Sequence, residues 1–399
     1  MNIVFYRYKS ICEPDFIDAF KALGINVVED NQGMDESLSL DERMVFLGDL
    51  IADNKPLFVF SINYHPFISM LCDRLHVFYV AITVDCPVFE IFNTSIKSKF
   101  NRLFLFDKKQ YDMIHSENPE CIFHLPLGAA CERLSNLLGD VSGYDYDISF
   151  VGSLYKEKDP LDNLLLNPKI KNYEQVIDDV ITAQLGSDVY GYETIKSNLP
   201  SGVISALKKA DPEFYPSDMS VFDISEYVAF SDYLCPHATY LERVKLLNLI
   251  AENASKANAK MHLFTQSDTS SLSSQVVTHG GVDSLKEMPF IFRKSKINLN
   301  ITTRAIESGL SQRIWDVLAC NGFLITNYQP EIDTFFKDGI HLVTYNSYDE
   351  LLEKLDYYLQ HEDERKVIAQ NGFDWINDHG KVVNRVIEMI KVITSGGVI

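Results

Sequence analysis

The stretch Ser308-Gly-Leu-Ser-Gln-Arg-Ile-Trp-Asp-Val-Leu-Ala-Cys-Asn-Gly-Phe-Leu-Ile-Thr326 decides the fold class of this chain. It has the pattern of a glycine-containing loop, a helix of about three turns, a glycine stop and a buried strand. Ile314, Val317 and Leu318 are spaced i, i+3 and i+4, so they share one helix face, which we expect to pack on a sheet. The stretch therefore predicts one unit of an α/β domain built on a parallel sheet.

The start of this helix has the features of an anion site. Its first N–H groups have no partner within the helix and carry the positive end of the dipole. Arg313 lies in the first turn, where a cation opposes the dipole, so a nearby anion would explain it. Asp316 follows Gln312 at i, i+4 spacing and could accept both hydroxyls of a ribose. Ser311 or Ser308 is expected to cap the helix. These residues alone also fit an ordinary capped surface helix.

Similar units lie on both sides of this stretch. The N-terminal part has apolar, β-branched and aromatic runs with helical stretches between most of them, which is typical of a parallel sheet covered on both faces. The predicted strands there are Asn2–Tyr6, Ile25–Glu29, Leu57–Ile62, Val77–Val84 and Arg102–Phe106. We therefore predict a doubly wound domain over residues 1–145.

A second domain is predicted after the polar, glycine-rich stretch Asp140–Asp147. It begins with a strand and turn and covers residues 146–380. Residues 156–235 are polar, aromatic and mostly helical in pattern, so they are expected to form a helical insertion in this domain. A last helix over residues 381–399 closes the chain.

Composition limits the class of partner. The chain has 399 residues, more than one hydrophobic core usually serves, with 46% hydrophobic and 23% charged residues. Its net charge of −20, from 36 basic and 56 acidic residues, argues against nucleic-acid or anionic-membrane partners. The seven dispersed cysteines, the lack of a signal-peptide pattern and the short apolar runs favour a cytoplasmic protein without a membrane span.

Several further segments, taken together with this helix, resemble the sequences of a known protein family. They are Asp85–Glu90, Asn101–Asp107, His124–Gly128, Ser149–Tyr155, His279–Asp283, Lys296–Asn300, Gln312–Asp316 and Gly322–Glu331. Together they resemble the CgeB-like (spore-maturation-type) glycosyltransferases, within the broader group of GT-B glycosyltransferases. The likeness covers most of the chain outside residues 156–235. One departure is that Asp316 stands where the broad GT-B group has a glutamate.

The resemblance implies two Rossmann-like domains that face each other across a cleft. It implies transfer of a sugar from a nucleoside diphosphate sugar, with a UDP-sugar as the first expectation, to an unknown protein, glycan or small-molecule hydroxyl. The sequence has no DxD motif of the metal-dependent kind, so no obligatory metal or other cofactor is expected. The terminal helix is expected to cross back to the first domain.

The resemblance also assigns roles within the donor site. The residues are Gly152, Ser153, Gly281, Val282, Ser311, Gln312, Arg313, Asp316 and Glu331. Ser311–Arg313 would meet the diphosphate, and Asp316 the ribose. Gly152–Ser153 would let backbone approach the phosphates, and Gly280–Val282 would line the base. Glu331 would contact a hydroxyl of the sugar, although an acid in a first helical turn also suits the dipole.

Two residues of the first domain are candidates for catalysis, because ligands bind at the carboxyl ends of parallel strands. Asp85 follows a predicted strand and would activate an acceptor hydroxyl. His65 follows another predicted strand end. Each also has an ordinary structural explanation, Asp85 as a turn residue before Pro87 and His65 as a loop histidine.

Two other functions fit the same pattern. One is a sugar-nucleotide epimerase on the same fold, which would need several acid and base groups in the cleft. The other is a non-catalytic sugar-nucleotide-binding or scaffold protein, with residues 156–235 as its interaction surface.

Overall fold

A computed structural model describes residues 1–185 and 199–395 of the 399-residue chain. Two six-stranded sheets lie at its centre, and their strands pair in parallel. This confirms the predicted α/β class with two Rossmann-like sheets. Residues 186–198 of the predicted insertion and 396–399 of the predicted terminal helix lie outside the described residues.

The first sheet has the strand order β2-β1-β3-β4-β5-β6. Its strands are β1 (Asn2–Tyr6), β2 (Asn26–Asp30), β3 (Phe58–Ile62), β4 (Phe78–Ile82), β5 (Asn101–Leu105) and β6 (Ile122–His124). The accompanying α-helices are Glu13–Ala22, Leu40–Asn54, Pro66–Leu75 and Lys108–Ile114. The helix Cys131–Leu138, which follows β6, packs against the helices Met288–Lys294 and Gln312–Ala319 of the second half. Short 3-10 helices are Gln32–Met34, Phe89–Phe92, Thr94–Lys97 and His115–Glu117.

Local sequence explains these elements. β3 reads Phe-Val-Phe-Ser-Ile and is buried at every position, as expected of a strand covered on both faces. The helix Leu40–Asn54 begins with a capping box. The Ser39 hydroxyl accepts from the Glu42 amide at 3.3 Å, and the Glu42 carboxylate accepts from the Ser39 amide at 2.8 Å.

The second sheet has the strand order β12-β11-β10-β7-β8-β9. Its strands are β7 (Tyr146–Val151), β8 (Met261–Phe264), β9 (Val276–His279), β10 (Ser295–Asn300), β11 (Leu324–Asn327) and β12 (Val343–Tyr345). Its α-helices are Cys235–Lys256, Met288–Lys294, Gln312–Ala319, Ile332–Phe335, Tyr348–Gln360 and Glu362–His379. The strand order reverses between β7 and β10, which places a crevice at the carboxyl ends of these two strands.

The segment between β7 and β8, predicted as a helical insertion, covers the first sheet. Its helical pieces are Lys156–Lys158, Leu161–Leu164, Lys171–Tyr173, Glu174–Gln184, Ser201–Ala210, Ser225–Val228 and the π-helical turn Ala229–Leu234. Leu161, Ile177 and Leu207 are buried in one apolar cluster with Tyr79 and Leu103 of the first sheet. The insertion thus belongs to the second half in chain order and to the first half in its packing.

The terminal helix Val382–Ser395 also lies on the first sheet. Val386 and Met389 are buried with Phe5 and Phe16. No helix within residues 1–185 and 199–395 combines the length and apolar character needed to cross a membrane.

Candidate active site

A cavity of about 410 Å³ lies between the two halves. One wall is the turn Val84–Pro87, which follows β4. The other wall includes Thr303 beyond β10, and Ser311 and Gln312 at the start of the helix Gln312–Ala319. The structure therefore brings Asp85, predicted to act on the acceptor, to the same cavity as two predicted donor residues.

Two arginines meet at the carboxyl ends of β7 and β10. The guanidinium carbons of Arg313 and Arg243 lie 5.1 and 5.2 Å from the centre of the Phe150 ring. Arg313 donates to Asn300 Oδ1 at 3.0 Å, and Arg243 donates to the Ser153 carbonyl at 2.6 Å. Arg313 was predicted to lie here, whereas Arg243 was not.

This pair forms a positively charged centre with little water around it. Burial, and after it the nearby charge of Arg243, lowers the pKa of Arg313 to about 10. Burial also lowers the pKa of Arg243. Within the described residues, the Nε atoms of both side chains are buried without a hydrogen-bond partner. Such an arrangement favours an anion between or beside the two groups.

Gly152 makes room for this centre. Its φ of +149° lies in a region that L side chains rarely adopt, and a Cβ built on it would lie 2.4 Å from Arg313 Nη2. The adjacent Ser153 donates from its hydroxyl to Glu157 at 2.6 Å and accepts from the Tyr155 amide at 2.7 Å. The predicted glycine turn is present, and the group that approaches it is the Arg313 side chain.

Ser311 holds the N-cap position of the helix Gln312–Ala319, as one of the two predicted alternatives had it, but the predicted side-chain capping bond is absent. Its hydroxyl donates to Asn300 Oδ1 at 3.2 Å. The Ser308 hydroxyl instead donates to Glu331 at 2.8 Å. The first turn is therefore not capped by its own serine and can receive a ligand anion.

Asp316 lies where the two halves meet. Gln312 donates from its amide to Asp316 Oδ1 and to the Gly128 carbonyl, both at 2.9 Å, which bears out the predicted i, i+4 relation. The pKa of Asp316 is raised to about 7, chiefly by burial and to a smaller extent by the charge of Asp15, although the hydrogen bond from Gln312 and the charge of Arg133 lower it. This carboxyl therefore changes its charge near neutral pH.

The predicted base-binding loop lies beside the helix Cys131–Leu138. A Cβ on Gly281 would lie 2.1 Å from Gln266 Cγ, so this position has no room for a side chain without movement of Gln266. Val282 is half-buried and packs on the apolar core. Arg133 donates to the Leu285 carbonyl at 3.2 Å, which joins this loop to the first half.

Glu331 is placed differently from the predicted sugar contact. Its carboxylate accepts from the Lys108 amide at 2.7 Å and from the Ser308 hydroxyl at 2.8 Å, and it lies 2.9 Å from His124 Nε2. It is buried at the N-cap position of the helix Ile332–Phe335. These contacts join the two halves, and the predicted role toward the sugar gains no support from them.

Asp107 is a functional candidate that the sequence pattern did not single out, although it ends one of the family-like segments. Its Oδ2 accepts three consecutive amides, those of Glu307, Ser308 and Gly309, at 2.9 to 3.0 Å. Gly309 is needed for this approach, since a Cβ there would lie 2.9 Å from the Asp107 Cα. The carboxylate thus holds the loop that leads into the helix Gln312–Ala319.

The two catalytic candidates differ in their surroundings. Asp85 is exposed in the cavity and accepts from Asn63 Nδ2 at 2.7 Å. His65 packs on the rings of Tyr6 and Tyr8, and burial lowers the pKa of its imidazole to about 4. His65 does not line the cavity formed by the described residues, which favours a structural role for it.

Arg243 and Lys158 were also missed. Lys158 is exposed and lines the cavity, in the 3-10 helix that follows β7. Arg243 lies in the middle of the helix Cys235–Lys256, and nothing in the local sequence there indicates a ligand. Lys158 could have been found from the sequence, because it follows closely after the predicted turn at Gly152, where a cation suits a phosphate.

Comparisons with known proteins agree with this architecture. Residues 246–391 match the family model described as glycosyl transferase-like. Similar solved structures include a glycosyltransferase from Rickettsia africae ESF-5, with 12% identity, a TM-score of 0.54 and 99% of each chain covered. Another is Anabaena Alr3699/HepE in complex with UDP and glucose, with 9% identity, a TM-score of 0.55 and coverage of 99% of this chain and 100% of that one.

A third similar structure is the sucrose-phosphate synthase of Thermosynechococcus elongatus, with 8% identity, a TM-score of 0.56 and coverage of 99% of this chain and 98% of that one. At such identities the structures show the shared GT-B fold. Among proteins with curated descriptions, none matches the sequence. The family match and the architecture together support sugar transfer as the reaction.

Proposed function

We propose that this chain, a glycosyltransferase with the GT-B fold, transfers a sugar from a uridine diphosphate sugar to an acceptor hydroxyl without a metal ion. The diphosphate would lie against Arg313, Arg243 and the start of the helix Gln312–Ala319. The ribose would meet Asp316, and the acceptor would approach along the turn Val84–Pro87.

The pair of arginines, Arg243 buried and Arg313 half-buried, carries this proposal. Two cations that share a poorly hydrated site are unfavourable on their own, because each loses water and repels the other. A diphosphate has the charge to neutralise both, and it can accept from the free amides at a helix start. The complex of the Anabaena neighbour with UDP and glucose supports a uridine donor as the first candidate.

The same groups would assist the chemical step. The acceptor oxygen forms a bond to the anomeric carbon while the bond from that carbon to the diphosphate oxygen breaks. Negative charge then grows on the leaving diphosphate, and Arg313 and Arg243 lie where that charge develops. We assign to Asp85 the removal of the acceptor proton, since its carboxylate is exposed in the cavity and held by Asn63.

Donor binding is tested by titrating the protein with UDP-, GDP-, TDP- and CMP-sugars in a calorimeter. We expect a UDP-sugar to bind best. Its affinity should fall at least about tenfold in both Arg313→Ala and Arg243→Ala, because each variant loses charge-assisted hydrogen bonds to the diphosphate. Arg74→Ala, on the exposed surface of the helix Pro66–Leu75, is the matched control and should bind normally. Binding of none of these sugars, or unchanged binding in both arginine variants, would overturn the site.

Turnover separates this function from its alternatives. With an acceptor pool, a transferase releases UDP, an epimerase converts the sugar nucleotide without releasing UDP, and a scaffold protein does neither. Asp85→Asn should keep the donor affinity and lower the rate of transfer by about 10²- to 10⁴-fold. A normal rate in this variant would remove Asp85 from the mechanism.

A further inference from the structure

A second cavity, of about 160 Å³, lies at the carboxyl ends of β10, β11 and β12. Thr302, Asn327 and Tyr345, which follow or end these strands, all line it. It shares Thr303 and Ile306 with the cavity described above, so the loop 302–307 forms a wall of both. This edge of the sheet is where open α/β sheets bind ligands, yet it lies away from the reversal of strand order between β7 and β10.

A buried hydroxyl in this cavity lacks a partner. Tyr345 is only 4% exposed, and within the described residues its hydroxyl makes no hydrogen bond. A buried polar group left in this state is unfavourable, so a ligand or water that pairs with it is expected. Tyr345 lines the cavity, and its hydroxyl has almost no accessible surface, so a partner in the cavity would reach it after a small movement of the ring.

Several other polar groups that line the cavity are paired with one another. Glu242 is buried and forms a two-point ion pair with Arg304. The hydroxyl of Tyr348 donates to the same carboxylate at 3.3 Å. Fixed planar groups of this kind keep lone pairs and N–H groups in defined directions, which suits recognition of neighbouring hydroxyls.

Charge and size narrow the class of ligand. The cavity is lined by one cation, Arg304, and by two carboxylates, Glu242 and Glu307, so it disfavours a phosphate or another anion. Its volume is close to that of the cavity of about 150 Å³ that admits one benzene ring in an engineered protein. The polar lining here calls for a ring that carries hydroxyls instead. Tyr328, which is 39% exposed, adds an aromatic face at the opening.

We propose that this cavity binds one neutral, hydroxyl-rich ring, a single sugar residue, at a site separate from the donor cleft. One hydroxyl of the ring would pair with Tyr345, and others would meet the Glu242–Arg304 pair. The loop 302–307 also borders the donor cleft and continues into the segment held by Asp107. A sugar bound in the second cavity would therefore stabilise this loop on the side away from the donor cleft. The proposal does not depend on which nucleotide the donor carries.

The test is saturation-transfer NMR with free glucose, galactose, mannose and N-acetylglucosamine, recorded with UDP present in excess to occupy the donor cleft. At least one sugar should bind saturably. Its dissociation constant should rise about three- to tenfold in Tyr345→Phe, which removes only the hydroxyl. Tyr328→Ala, a surface change, should weaken binding as well, while Tyr357→Ala at a tyrosine of similar exposure (43%) should not. Arg313→Ala should leave this binding intact.

Three results would overturn the proposal: no saturable binding of any of the four sugars, unchanged binding in both Tyr345→Phe and Tyr328→Ala, or loss of binding in Arg313→Ala. The last result would mean that the sugar binds in the donor cleft and not in the second cavity. If no UDP-sugar binds in the calorimeter, UDP does not fill the donor cleft in this experiment, and the Arg313→Ala variant then separates the two sites by itself.

Discussion

The proposed donor site depends on a few residues that form a charged and poorly hydrated environment. Arg313 and Arg243 both lie close to the Phe150 ring and are held by oxygens of Asn300 and Ser153. These partners fix the guanidinium groups in the free protein, so little reorganisation would be needed if the proposed diphosphate binds. In the free protein this environment lowers the pKa of both arginines, and a bound anion would raise the pKa of both again.

Gly152→Ala tests how strongly this geometry depends on one missing methyl group. The new Cβ would overlap Arg313 Nη2, so the guanidinium must move, and we expect donor affinity to fall at least about tenfold. Calorimetric titration measures the effect. Gly24→Ala is the control for backbone strain alone, because Gly24 also has a positive φ, of +75°, and a Cβ there would meet nothing within 4 Å. An unchanged affinity in Gly152→Ala would show that Arg313 does not act from this position.

The Asp316 carboxyl should make stability depend on pH. Because burial raises its pKa to about 7 in the folded protein, the folded state holds this proton more tightly than the unfolded chain. The resulting stabilisation is present at low pH and is lost as the pH rises through about 7. Relative to Asp316→Asn, which has no such proton, the wild type should lose about 1 to 3 kcal/mol of unfolding free energy between pH 5 and pH 8.

Denaturant unfolding of both proteins at the two pH values, without nucleotide, measures this difference. Glu132→Gln serves as the control for the helix Cys131–Leu138 beside it. Although burial alone would raise the pKa of Glu132, the contact with Lys381 lowers it, so this carboxyl should give no loss of stability across the same interval. If the difference between wild type and Asp316→Asn is constant from pH 5 to pH 8, Asp316 does not titrate in this range.

Among the elements, the loop before the helix Gln312–Ala319 joins the two halves through reciprocal contacts. Asp107 of the first half accepts three amides of the loop 307–309. In return, Glu331 of the second half accepts the Lys108 amide and meets His124. Each carboxylate therefore satisfies backbone N–H groups of the opposite half. The position of the helix Gln312–Ala319 is in this way fixed relative to the first half.

Asp107→Asn should loosen this connection. An amide in place of the carboxylate turns an NH₂ group toward backbone donors, so at least one N–H loses its partner. We expect about 2 to 4 kcal/mol less unfolding free energy, measured by denaturant titration, together with a raised KM for the donor. Asp112→Asn is the control, since Asp112 lies on the same helix and pairs with Lys108 on the surface. A normal KM with lowered stability would restrict Asp107 to a purely structural role.

At the scale of the whole molecule, local patterns predicted the strands well and the packing partners poorly. β1 was predicted at its observed bounds because Asn2–Tyr6 is an uninterrupted apolar run after its first residue. β6 and β9 were missed, because both are edge strands with partly exposed side chains and lack a continuous apolar run. The contacts of Asp107 and Arg243 join residues distant in the chain, which no local periodicity encodes. The insertion likewise gave a helical pattern that could not reveal its placement on the first sheet.

The terminal helix Val382–Ser395 provides the last test, because it carries the end of the chain back to the first sheet. Met389 is 1% exposed in a cluster with Phe5 and Phe16, so Met389→Ala should leave a cavity and lower the unfolding free energy by about 2 to 5 kcal/mol. Hydrogen exchange should quicken first in β1 and β3, whose side chains the helix covers. Lys391→Ala, on the exposed face of the same helix, should change stability by no more than about 0.5 kcal/mol. Equal stability of the two variants would mean that this helix is not required to cover the first sheet.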